Sequence, residues 1–199
     1  MDTGLFITFE GIEGSGKSTH ARLAADYLKE KGHSVHLLRE PGCTSISEQI
    51  RDILLDQKNS EMTVACELLL YNAARAQLVS EVIMPALHNG KIVVCDRFFD
   101  STTAYQCFGG EMNRDSAECI TMFAAQGLVP YATFLLDSDV ERGLSRAGRG
   151  DRMELKSIEF HQRVRDGFLA LARQSAERFV VIDEMTIDEG RKIVNHKLD

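Results

Sequence analysis

The sequence predicts an α/β fold, a five-stranded parallel sheet with helices on both faces, and three observations carry that expectation. Five short apolar runs, at residues 5–9, 35–38, 92–95, 132–136 and 179–182, are strand-sized and mostly continuous, as expected where both faces of a sheet are covered. Helical patterns fill the gaps between them, the arrangement of successive crossover units. The first run leads directly into Gly11-Ile12-Glu13-Gly14-Ser15-Gly16-Lys17-Ser18-Thr19, which fits the phosphate-binding pattern G-x-x-x-x-G-K-[ST] and opens a helix.

In such a strand–loop–helix the glycines let backbone N–H groups close around an anion, and the helix N-terminus adds a favourable potential. Lys17 is then placed for the β/γ-phosphates of a nucleotide and Ser18 for Mg2+. Glu13 is the odd member of the loop, an acid where phosphates are expected. Beyond the loop, Ala21, Leu23, Ala24, Tyr27 and Leu28 recur at helical spacing, and Gly32 is a natural stop. The second run follows, Pro41 and Gly42 break the chain, and Ile46, Ile50, Ile53 and Leu54 give a short amphipathic helix. Residues 63–87 form a long, mostly apolar helical segment able to bury more than one face, and so a candidate dimer surface. Gly90 ends it. The third, fourth and fifth runs end at Asp96, Asp137 and Asp183, on the sheet edge where ligands bind in parallel α/β folds. With no internal repeat and no long linker, residues 1–199 read as one domain.

A composition of 44% apolar and 27% charged residues belongs to a globular chain, and a net charge of −7 argues against nucleic-acid or anionic-membrane binding. A nucleotide therefore needs local basic residues. No apolar stretch is long enough to span a membrane and no signal peptide is evident, so the expected location is the cytoplasm. The five cysteines form no C-x-x-C pair and read as reduced thiols, and His33-x-x-His36 lacks the partners of a metal site.

Asp96-Arg97, after the third strand, has the position of an acid that holds Mg2+ followed by a cation for a substrate phosphate. Arg142, Arg146, Arg149 and Arg152 recur at helical spacing and are expected along one helix face, while Gly143, Gly148 and Gly150 suggest a mobile flap at about 142–154. An arginine-rich flap neutralises a transferring phosphoryl group and excludes water when it closes. Arg39 follows the second strand, and Arg51 on the next helix is a further phosphate-contact candidate. Tyr71 and Arg75, four apart, can share a face and offer a ring and a donor to a base. Taken alone, Tyr71 reads as a core residue and Arg75 as a surface one.

The extended loop from Phe9 to Thr19, Arg39-Glu40-Pro41-Gly42, Asp96-Arg97-Phe98, Ser101-Thr102-Thr103-Ala104-Tyr105-Gln106 and Gly150-Asp151-Arg152-Met153-Glu154 together resemble the landmarks of the thymidylate kinase family, over almost the whole chain. The resemblance implies a P-loop nucleoside monophosphate kinase-like fold with a short lid. It also implies transfer of the γ-phosphoryl group of ATP to dTMP, giving dTDP for dTTP synthesis, with Mg2+, in a homodimer. By the same resemblance residues 11–19 bind ATP, Ser18 and Asp96 serve the metal, and Lys17, Arg97 and Arg149 are catalytic. Tyr71 would stack on thymine and Arg75 contact its O4, with Thr102 and Gln106 at the other polar edge and Ser101 in the same stretch. Arg39, Arg51 and Arg97 are implied for the 5′-phosphate, Tyr105 for the deoxyribose and Glu13 for its 3′-OH. Gly14-Ser15 in the loop, with arginines in the lid, resembles the bacterial type. Cys43, Ser45 and Ser47 depart from that pattern, which has glycine, proline and glycine there, so a stiffer or differently shaped turn is expected. The alternatives are another nucleoside or nucleotide kinase, a nucleotide-dependent switch, which would lack a use for the basic lid, and an inactive scaffold.

Overall fold

The computed structural model describes residues 4–148, 150–183 and 186–199. Its strands are β1 (Phe6–Glu10), β2 (Val35–Arg39), β3 (Ile92–Asp96), β4 (Ala132–Leu136) and β5 (Phe179–Ile182), all parallel in the order β2-β3-β1-β4-β5. From β1 the chain runs to the edge strand β2, returns to β3 beside β1, and then crosses to β4 and β5 on the other side. The carboxyl end of β1 therefore lies at a switch point, where the strands open a crevice for ligands.

Alternate residues of the central strands enter different cores, as a two-residue period requires. Ile7, Phe9, Val94 and Phe134 pack on one face with Ala21, Ala24 and Ala25 of α1 (Lys17–Glu30) and Val194 of α9 (Ile187–Leu198). Phe6, Val93 and Cys95 face the other way, against Leu78, Ile83 and Phe98. Thr8 and Thr133, fully buried on adjacent strands, satisfy each other at 2.8 Å.

The remaining helices are α2 (Ser45–Leu55), α3 (Val64–Leu78), α4 (Met84–His88), α5 (Phe99–Thr102), α6 (Arg114–Ala124), α7 (Val140–Ala147) and α8 (Ile158–Gln174). The long segment expected at 63–87 is helical but not uniformly α: a π-helical turn, Val79–Ile83, separates α3 from α4. Pro85 lies just beyond and has no N–H to give the helical ladder, a local cause for the changed pairing. A second π-helical stretch, Thr103–Gly109, continues α5 and carries Tyr105 and Gln106. Among the described residues no helix is long and apolar enough to cross a membrane. All five cysteines are free thiols.

Candidate active site

The phosphate loop is built to receive an anion. Thr44, Thr63, Asn113, Asp139, Ser157 and Thr186 each cap a helix with a side-chain oxygen, whereas α1 begins at Gly16, which has no side chain to offer, and carries no acid in its first turn. Its first N–H groups are thus open to a ligand. Lys17 folds back onto the loop, donating to the Ile12 carbonyl at 2.5 Å and to Ser15 Oγ at 3.4 Å. Burial, then the nearby Arg97 charge, pushes its amine down to about 8. Ser18 Oγ donates to Asp96 Oδ2 from the end of β3, and Asp96 Oδ1 has no partner among the described residues. A hydroxyl beside a carboxylate with an unused oxygen is a donor set that fits Mg2+, which takes few protein ligands and completes its shell with water and phosphate.

Arg97 follows β3 in a left-handed conformation, φ 73°, which turns its side chain back across the loop. The guanidinium donates to the Gly11 carbonyl at 2.9 Å, Ser101 Oγ at 3.0 Å, Glu13 Oε1 at 3.3 Å and Tyr105 Oη at 3.2 Å. Tyr105 also donates to Glu13 Oε1, at 2.5 Å. Burial alone would raise the Glu13 carboxyl, but His161, Arg97, Lys17 and Tyr105 outweigh it and hold the group at about 2. The acid in the phosphate loop is therefore an ionised acceptor.

A cleft of about 290 Å³ gathers every expected substrate residue: Glu13, Arg39, Arg51, Tyr71, Arg75, Arg97, Ser101, Thr102, Tyr105 and Gln106, together with Lys17, Ser18 and Asp96. Arg75 is 2% exposed, against the ordinary expectation for an arginine. Its Nε and Nη2 meet Glu40 Oε2 at 2.9 and 2.7 Å, and Nη1 meets Asn72 at 3.1 Å and Thr102 at 2.9 Å. Of the five N–H donors of a guanidinium, one on Nη2 is left over among the described residues. Gln106 gives its Nε2 to Glu67 at 3.2 Å, which orients the amide, and its buried Oε1 has no partner among the described residues. Tyr71 lines the same cleft, and burial holds its phenol well above the usual range.

At the departing turn, Arg39 forms a two-pronged ion pair with Glu48 at 2.9 and 3.0 Å, and Cys43 takes φ 69°, a region glycine enters more easily. Glu48 also accepts from Cys43 N at 2.6 Å, and Ser47 donates to the Ala74 carbonyl at 2.8 Å, tying α2 to α3. Arg51 donates to the Pro41 carbonyl at 2.8 Å.

Arg142, Arg146 and Arg152 do not share one helix face. Gly148, at φ 93°, stops α7 before Arg152 can join it. Arg152 instead turns inward, donating to the Leu54 carbonyl at 2.9 Å and to Glu67 at 2.5 Å. Arg142 and Arg146 line a second cavity, of about 400 Å³, with Ser15, His20, Asp137 and Glu189. Arg149 lies outside the described residues. Gly143, expected to loosen the flap, sits inside α7 where the helix meets the loop: a Cβ there would lie 2.5 Å from the Glu13 carbonyl, and one on Gly14 1.9 Å from the Gly143 carbonyl. These glycines permit contact between two backbones.

Several residues of the site escaped the sequence reading. Glu10, at the end of β1, accepts from Phe98 N at 2.7 Å and Ser101 Oγ at 2.6 Å and so fixes the turn that carries Arg97. Burial, then the neighbouring Asp100, raises its carboxyl to about 8. Glu67 had a usable signal, since it lies four residues before Tyr71 and eight before Arg75 and hence on their side of α3. His161 on α8 had none.

The thymidylate kinase family model matches residues 9–189. The chain belongs to that family. It is 51% identical over 202 residues to the thymidylate kinase of Geotalea daltonii, covering 96% of this chain and 94% of that one. It is equally identical over 189 residues to the thymidylate kinase of Geobacter sulfurreducens, with 90% and 89% covered. The crystal structure of thymidylate kinase from Ehrlichia chaffeensis superposes with a TM-score of 0.84 at 34% identity, over 99% of this chain and all of that one. Family membership favours the kinase reading over a nucleotide-dependent switch, and the five-stranded parallel sheet is the one expected from sequence.

Proposed function

We propose that the 290 Å³ cleft holds dTMP and that the cavity beyond the loop receives the nucleoside side of ATP, with the phosphate loop between them. The family's reaction is phosphorylation of dTMP to dTDP, with ATP as donor and Mg2+ as cofactor. The observation that carries the acceptor's identity is the Nη2 donor of Arg75 and the Oε1 of Gln106, both left over among the described residues, since thymine presents an acceptor, O4, beside a donor, N3–H. Cytosine reverses that pair, and each mismatch would leave a buried group unpaired. Tyr71 supplies the stacking ring, and Thr102 holds Arg75 in place.

In this reading Arg39, Arg51 and Arg97 receive the 5′-phosphate, Tyr105 and Ser101 flank the sugar, and Glu13 accepts its 3′-OH. The acceptor oxygen is already ionised near neutral pH, so no strong general base is needed. The protein aligns two phosphates and balances their charge. Residues 11–19 wrap the donor phosphates and Lys17 contacts the β/γ-phosphates. Ser18 and Asp96 hold Mg2+, which neutralises phosphate charge when bound. Arg149, in a lid at about 142–154, completes the charge around the transferred group.

The remaining parts of the reading are a single domain, a cytoplasmic location and a homodimer. Location is supported by the net acidic charge and free thiols. The dimer is supported by Ile53 on α2, Leu69 on α3 and Phe123 on α6, large apolar residues left exposed on three helices that pack side by side. Sedimentation of the wild type and of Phe123→Asp checks that face.

One assay tests the function: ADP release from ATP and Mg2+ with dTMP, dUMP, dCMP, AMP or thymidine as acceptor. dTMP should give the highest kcat/KM, dUMP less, and dCMP at least a hundredfold less, the scale of an unpaired polar edge. ATP hydrolysis indifferent to every acceptor would sink the reading.

A further inference from the structure

His161 is fully buried on α8, between Phe160 and Val164 on the side that packs against the Tyr105 segment. An imidazole with no exposure needs a polar partner, because an unpaired polar group costs free energy in an apolar cluster. Its Nε2 has none. Its Nδ1 lies 3.2 Å from Glu13 Oε2, a close contact whose angle falls short of an ideal hydrogen bond. The ring itself is held edge-on to Phe160, with centroids 5.4 Å apart.

The two oxygens of Glu13 therefore face different neighbours. Oε1 takes Tyr105 and Arg97, and among the described residues Oε2 faces His161. Restraint at one oxygen leaves a carboxylate free to pivot about it, whereas contacts at both oxygens fix its plane. A fixed plane lets the group accept a ligand hydroxyl without first losing side-chain freedom.

We propose that His161 is a positioning residue for the sugar site, presenting its Nδ1–H to Glu13 Oε2 and thereby fixing the carboxylate that accepts the 3′-OH of dTMP. This rests on the reading of Glu13 given above. His161 touches neither phosphate nor base in this scheme. Its effect reaches the reaction only through Glu13, and therefore only for acceptors that carry the hydroxyl.

The test compares dTMP with 3′-deoxythymidine monophosphate on four proteins: wild type, Glu13→Gln, His161→Leu and His161→Asn. Leucine fits an apolar cluster but has no donor, and asparagine carries its amide where Nδ1 lies. The readout is the ratio of kcat/KM for the two acceptors, which a general packing defect would leave alone. The expected result is that Glu13→Gln and His161→Leu each lower the ratio by roughly tenfold, the scale of one hydrogen bond to a charged group, and that His161→Asn restores most of it. If Glu13→Gln keeps the wild-type ratio, the reading of Glu13 fails. If Glu13→Gln loses the ratio while His161→Leu keeps it, Glu13 stands and the proposal is overturned. Should His161→Leu fail to fold, His161→Asn decides: equal losses on both acceptors would mark His161 as a packing residue.

Discussion

Arg152 donates to Glu67 at 2.5 Å, joining the segment after α7 to α3 through side chains that are 4% and 2% exposed. The other oxygen of Glu67 takes Gln106, so one buried carboxylate ties together the segment after α7, the helix α3 and the π-helical stretch. Glu67→Ala leaves a buried guanidinium unpaired and should cost about 3–5 kcal/mol in urea unfolding. Glu67→Met combined with Arg152→Leu should recover most of that loss. A single variant within about 1 kcal/mol of wild type would contradict the role of the pair.

With Lys17 on the donor phosphates as proposed, its charge should set an upper pH limit for binding the donor. Its amine, lowered to about 8 by burial and then by Arg97, is charged below that pH and neutral above it. The expected result is that kcat/KM for ATP at saturating dTMP declines as pH rises through about 8. A profile flat to the ordinary lysine range would refute this.

Glu10 makes stability depend on pH in the opposite sense to a salt-bridged acid. Its folded value, about 8, lies above the ordinary 4.5, so the folded state binds the extra proton between them. Its contribution is complete below about 4.5 and is lost as pH rises through about 8. Denaturant midpoints of Glu10→Gln should fall less over that interval than those of wild type, and parallel curves would count against it.

Gly143→Ala would put a methyl group 2.5 Å from the Glu13 carbonyl, so either α7 or the loop must shift. A displacement of that order should lower kcat/KM roughly tenfold or more, with melting temperature little changed by comparison. Steady-state kinetics beside a thermal melt separate the two effects.

Arg149→Ala should lower kcat roughly a hundredfold with a smaller change in dTMP affinity, as arginines that neutralise a transferring phosphoryl group do. Arg142→Ala and Arg146→Ala, at the second cavity, should act mainly on the KM for ATP. An unchanged kcat would remove Arg149 from the role.

Local signals made much of this legible in the sequence. The five strands are short apolar runs, and the phosphate loop is a contiguous motif whose neighbours specify strand and helix. Tyr71 and Arg75 could be placed together because helical spacing alone puts them on one side. Arg152 was misread because spacing is a guide only while the helix lasts, and Gly148 ends it. Gly143 was misread because a glycine that permits close packing looks the same in sequence as one that breaks a helix. Glu10 and His161 belong to the site through contacts 91 and 148 residues away, with Ser101 and Glu13 respectively, and no local pattern encodes such pairs.

Arg97 binds both the Gly11 carbonyl and the Glu13 carboxylate of the phosphate loop. A cation shared in this way links occupancy on one side of the loop to geometry on the other. Each nucleotide should then alter the affinity measured for its partner, and by thermodynamic necessity the factor is the same in both directions. Cooperativity between two different ligands would thus arise within one protomer, from a single guanidinium, without any subunit rotation.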